Sequence, residues 1–151
     1  MPKLLTFGVC RQAIINRDDG AVSMINLISS VTIQRQPDQA IPTDANTFFE
    51  WGAASVWLRL DGDEGKTFEQ HNQLISPDGN ITDLGKVDFS MDGKLMSNIM
   101  KAQGFPIGQV GIVTFRVELR ETTEEQEWET FAEYPLEVVH QLQEEEPVVS
   151  V

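Results

Sequence analysis

Cysteine is almost absent from this chain. Cys10 stands alone in 151 residues, so no disulfide can form within it, which suits a reducing compartment. Basic residues are scarce too: 11 Lys and Arg stand against 24 Asp and Glu, a formal net charge of −13. Such a surface repels phosphate backbones and anionic lipid, so neither nucleic acid nor a membrane is an expected partner. No apolar run approaches the length that spans a bilayer. The apolar run after Lys3 is too short for a signal peptide and lacks a small-residue cleavage site, so the expected location is cytoplasmic. Beyond Arg120 there is no Lys or Arg at all, while Glu121, Glu124, Glu125, Glu127, Glu129, Glu133, Glu137 and Glu144–Glu146 follow. That asymmetry suits a basic partner, but a solvated strand face followed by an acidic tail accounts for it. Motifs for catalysis or cofactor binding are missing as well, and the chain reads as non-enzymatic with no cofactor.

What the sequence does contain is alternation. From Val113 onward, Val113, Phe115, Val117 and Leu119 share one parity, and Thr114, Arg116, Glu118 and Arg120 share the other. Successive strand side chains point to opposite faces, so this is a strand with one dry face, and the rest of the chain is expected to cover it. Hydrophobic content of 40% and a length of 151 residues suit one domain with a real core.

Taken in order, residues 3–16 read as a first strand on Leu5, Phe7, Val9, Ala13 and Ile15. Arg11 breaks that parity, and a bulge near Cys10 would turn it outward. Asp19-Gly20 then marks a hairpin. Residues 21–34 read as one returning strand, and the Pro- and Asp-rich stretch 35–46 as a loop. Within 47–60 the apolar parity switches after Gly52, from Phe49 and Trp51 to Ala54, Val56, Leu58 and Leu60. A bulge at Gly52 would restore one core face and turn Trp57 away from it. Strands follow over 66–76 and 82–90, separated by the Pro77-Asp78-Gly79-Asn80 turn. Residues 94–107 have partial helical spacing but no cap, and read as a strand in an all-β chain. The last strand alternates from Trp128 to Val138.

About eight strands with frequent turns predict an all-β protein, an antiparallel two-sheet β-sandwich, Ig-like or jelly-roll-like. Residues 1–140 form the expected single domain and 141–151 an acidic C-terminal tail.

Few residues invite chemistry. His71 and His140 have no motif around them. Cys10 on a strand reads as a small buried hydrophobe. Asp61, Asp63 and Glu64 in a Gly-flanked turn are the nearest candidates for calcium ligands. They lack the later bidentate Glu of an EF-hand loop, and read as turn residues with no metal.

The chain also resembles a group of short bacterial single-domain β-sandwich proteins of unknown function. The matching features begin with Cys10, Asp19-Gly20, Ile41-Pro42, and Leu58 with Leu60. They continue through Ser76-Pro77-Asp78-Gly79, Phe105-Pro106-Ile107, Gly111 ahead of Phe115 and Val117, and Tyr134-Pro135-Leu136, spanning residues 4–139. The chain departs in having no tyrosine after Gly111. The resemblance implies a β-sandwich and brings no catalytic residues. The function expected is therefore a β-sandwich module acting through protein contacts or self-association, with outward-facing Trp57 as the interaction residue. The alternative is a small-ligand or carbohydrate-binding domain in which Trp51, Trp57 or Trp128 stacks on sugars.

Overall fold

A computed structural model describes residues 1–122 and 126–143. It has nine strands: β1 (Lys3–Ile15), β2 (Val22–Leu27), β3 (Ser30–Arg35), β4 (Asn46–Leu58), β5 (Thr67–Ile75), β6 (Ile81–Ser90), β7 (Leu95–Pro106), β8 (Gly111–Glu121) and β9 (Glu129–Leu142). There is no helix among the described residues. Two sheets, ordered β2-β1-β4-β7 and β3-β9-β8-β5-β6, face each other across one core, a β-sandwich. All pairs are antiparallel except β3 with β9, which is parallel. The segment 94–107 is a strand, β7, as its place in an all-β chain suggested.

The alternating strand is the middle strand of the five-stranded sheet. Val113, Phe115, Val117 and Leu119 are all buried, and the ring of Phe115 meets Phe7 at 5.2 Å and Trp51 at 6.0 Å across the sandwich. Burial of these side chains is the main favourable term holding the two sheets together.

Residues 21–34 are two strands, not one. The chain leaves the first sheet after Leu27 and joins the second at Ser30. Asn26 takes φ 56°, a left-handed conformation that asparagine tolerates better than branched residues do. The crossing is tied on both sides: Ile28 N–H donates to Val9 O, and the Tyr134 hydroxyl donates to Ile28 O at 2.8 Å. This crossing is why there are nine strands and why β3 runs parallel to β9. β9 also continues through Leu142, past the boundary expected at residue 140, and Gln143 N–H donates to Arg35 O. Residues 144–151, most of the expected acidic tail, lie outside the described residues.

The bulge expected at Gly52 is elsewhere. Gly52 pairs without interruption, with Cys10 on one side and Lys101 on the other. The register of β4 against β7 shifts between Thr47 and Glu50, where Phe48 and Phe49 stand opposite Gly104. Parity does not switch at Gly52 either: Trp51, Ala53 and Trp57 all face the core. Trp57 is therefore not outward-facing. It is 0% exposed, and its indole N–H donates to Gln70 Oε1 at 2.9 Å. The even-numbered residues look apolar because the outer face of that sheet is covered too. Beyond Cys10 the β1–β2 arm packs there, with Ala13, Val22 and Met24 against Cys10, Ala54 and Ile99. Gly8 makes room for it: a Cβ at that position would lie 2.9 Å from Leu27 Cδ2 and Met24 Sδ.

Candidate functional site

The arm leaves a gap in its own sheet. β1 pairs with β4 only as far as Cys10 opposite Gly52; from Cys10 to Ile15 it pairs with β2. Asn46–Trp51 of β4 keep β7 on one side and have no strand on the other, among the described residues. A cleft of about 900 Å³ opens there. Arg11, Gln12, Ala13, Ile25 and Asn26 form one wall; Phe49–Gly52 with Lys101–Gln103 form the other. A second cavity of about 430 Å³ continues from Arg11 and Phe49 toward β3, lined by Ile28 and Val31–Ile33 among others.

The bulge sits on this open edge. Bulges re-aim side chains, and this one turns Phe48 into solvent, 98% exposed, while Phe49 stays against Phe105 with ring centroids 5.9 Å apart. Arg11, the residue that broke the parity of β1, lies across the gap with its guanidinium carbon 4.4 Å from the Phe49 ring centre. Gln103 Nε2 donates to Glu50 Oε1 at 3.3 Å. At the fork itself, burial pushes the Cys10 thiol up, away from the thiolate form, although backbone N–H groups of Gln12 and Ile25 aimed at its sulfur pull the other way. A buried thiol held protonated is a packing group, not a nucleophile.

The other sequence candidates are held elsewhere. Asp63 is buried in its turn, where Oδ2 accepts the Leu60 N–H at 3.2 Å and Oδ1 lies 3.2 Å from the N-terminal ammonium. Glu64 points out beside Arg59, and Asp61 is exposed. No group of three or more His, Cys, Asp or Glu among the described residues could hold a metal ion. His71 is buried on the outer face of the second sheet, with Nε2 at 3.1 Å from Asp83 Oδ1 and Nδ1 at 3.8 Å from Glu118 Oε2. The Gly85 N–H, and after it His71, hold the Asp83 carboxyl below its ordinary value. His140 Nε2 contacts Ile107 O and ties the end of β9 to the β7–β8 loop.

None of the three tryptophans offers a free stacking face. Trp51 is 2% exposed and donates to Gly104 O at 2.7 Å. Trp57 packs on Phe89 and Phe131. Trp128 is already covered by Arg120 at 4.3 Å and by the His71 ring at 5.2 Å. Sequence reasoning missed Phe48, whose only trace is the Phe48-Phe49 doublet beside an alternating run.

No family model matches the chain, and no curated protein matches it. Among solved structures it is similar to a family 123 glycoside hydrolase from Clostridium perfringens, at 12% identity and a TM-score of 0.42. The match covers 92% of this chain and spans only 28% of that one. A likeness that shallow carries no argument about activity. No helix among the described residues is long and apolar enough to cross a membrane.

Proposed function

We propose that the protein is a non-catalytic interaction module that takes an extended segment of a partner protein along the open edge of β4. One observation carries this: among the described residues Asn46–Trp51 lack a partner strand on one side, beside a cleft, and they present a Phe48 that is 98% exposed. Unpaired N–H and C=O groups on an edge are a template for an added strand. An aromatic set into the contact is the commonest kind of anchor. Burying a phenylalanine side chain contributes about 1.5–3 kcal/mol, so Phe48→Ser should weaken binding roughly 10- to 100-fold. The same change should leave folding intact, because Phe48 is 98% exposed and adds almost nothing to the core.

The test is selection of binders from a displayed peptide library, followed by amide chemical-shift mapping of a selected peptide on the isotope-labelled protein. Shifts centred on residues 46–51, with binding lost in Phe48→Ser, support strand addition. A concentration-dependent dimer abolished by Phe48→Ser would make the partner a second copy. A library that yields no binder, or shifts that fall elsewhere, sinks the reading.

A small polar ligand is the second reading, and the presence of Gln12, Asn26 and Gln103 in the lining of the cleft favours it. It predicts shifts at those side chains without changes along the β4 backbone.

A further inference from the structure

We infer that the segment received by β4 is acidic and that Arg11 is the residue that selects it. The inference rests on the strand-addition reading above and adds the partner's charge. The chain carries −13 overall, yet the charged side chains lining the larger cavity are Arg11 and Lys101 against Glu50 alone. Glu50 is already engaged by Gln103. Neither Arg11 nor Lys101 has a carboxylate within ion-pair distance among the described residues. A chain that is strongly acidic overall thus presents two cations and one engaged carboxylate in the cleft beside the unpaired stretch of β4.

Arg11 is placed to respond. Its guanidinium rests on Phe49, and both residues line both cavities, so the side chain divides one groove into two. A guanidinium offers a planar fork of donors that a carboxylate accepts in pairs, a stronger contact than an exposed cation–π stack. A segment with a carboxylate at this point draws Arg11 off Phe49 and joins the cavities. The acidic remainder of the molecule does not prevent this, because at physiological ionic strength charges beyond about 8 Å are largely screened.

The experiment uses three fluorescently labelled octapeptides of alternating Val and Thr, with two positions occupied by Glu, Gln or Lys. Each is titrated into the wild type, Arg11→Gln, Arg11→Glu, Lys101→Gln and Phe48→Ser at physiological salt. Thermal melts check that the variants fold, and amide shifts locate the binding. The wild type is expected to prefer the Glu peptide over the Gln peptide by roughly tenfold, the scale of a charge-assisted hydrogen bond. Arg11→Gln should erase most of that preference and Arg11→Glu should turn it toward the Lys peptide, with Lys101→Gln having the smaller effect. Phe48→Ser should weaken all three peptides alike. Equal binding of the three peptides, with shifts still on residues 46–51, overturns the acidic preference and leaves strand addition standing. A Glu preference that survives Arg11→Gln overturns the role of Arg11. No binding by any peptide, or shifts away from β4, overturns the strand-addition reading and this inference with it.

Discussion

Gln70→Leu is the substitution that tests the core most sharply. Gln70 projects from β5 into the interior, and its Oε1 is shared by three donors: Ser55 Oγ at 3.0 Å, Trp57 Nε1 at 2.9 Å and Asn98 Nδ2 at 2.9 Å. Its Nε2 donates to Asn72 Oδ1, also at 2.9 Å. Leucine is similar in size and more apolar, so on area alone the change is favourable. The decisive term is what it orphans. The Trp57 N–H is fully buried and has no other acceptor among the described residues, and the Asn72 carbonyl is nearly as buried. A buried polar group left unpaired costs about 1–3 kcal/mol. Ser55 can rotate its hydroxyl, and Asn98 is only half-buried and reaches water, so these two lose less. The sum is about 2–5 kcal/mol, a large share of a domain stability of about 5–15 kcal/mol. For a chain of this length that is a fall in Tm of roughly 5–15 °C.

Urea melts followed by tryptophan fluorescence give the loss. A double-mutant cycle with Trp57→Phe isolates the indole bond, because removing both partners together is much milder than removing one. We expect a coupling of about 1–2 kcal/mol. Gln70→Leu within 1 kcal/mol of wild type, or a coupling of zero, would refute the reasoning: the network would then be decoration on a core held by apolar burial alone.

Phe115→Ala should cost about 3–5 kcal/mol, since the ring fills the space between Phe7 and Trp51, while Thr114→Ala on the opposite face should cost about 0.5 kcal/mol. Urea melts compare the two; equal losses would mean the outer face of β8 carries as much stability as the core face. Alkaline stability follows from Cys10, whose thiol is pushed up by burial, so the folded state holds that proton more tightly than the unfolded chain does. Its contribution is complete below the thiol's ordinary value and is lost as the pH rises through the raised one. Cys10→Ala should therefore lose less stability than wild type between neutral and strongly alkaline pH, and parallel curves in a pH series of urea midpoints would contradict this.

The parts of the fold that were legible in the sequence are those in which one sheet face is wet. β8 alternates because its outer neighbours are Arg116, Glu118 and Arg120, so period two survives intact. β4 misled because both of its faces are covered. Trp51, Ala53 and Trp57 meet the core while Ala54 meets the β1–β2 arm, and a strand covered twice loses its parity signal. The apparent parity switch at Gly52 is that second layer, and it makes Trp57 look outward-facing in the sequence although it is buried. The crossing between β2 and β3 was hidden for a similar reason. Apolar residues run through Ile28 without a Gly or Pro, and what marks the change of sheet is the left-handed backbone at Asn26. The cleft has no local signal, because it is made by the departure of β1 from β4, with two other strands between them in sequence. Its traces are small residues: Gly8, Gly52 and Ala54 sit where the arm lies on the sheet or the strands fork.

The open edge follows from how this sandwich covers its first sheet. The outer face around Ala54 and Ile99 is apolar and needs a lid, and the lid is the far half of β1 with β2. β1 cannot both lie on that face and pair with β4 beyond Gly52, so one consequence of burying the outer face is an unpaired Asn46–Trp51. Proteins usually blunt such an edge with Lys, Pro or a bulge. Here there is neither Lys nor Pro between Asn46 and Trp51, and the bulge itself turns Phe48 outward. An arriving strand must follow the irregular backbone of the bulge and also bury a full phenylalanine ring. A regular strand from another molecule cannot pair through the bulge without losing its own register, and this limits indiscriminate edge-to-edge pairing. Burial of the Phe48 ring acts in the opposite sense, because it favours association. On the strand-addition reading proposed above, the partner must therefore place an apolar recess at the register of the bulge, where the cost of following the irregular backbone is offset by the ring it covers.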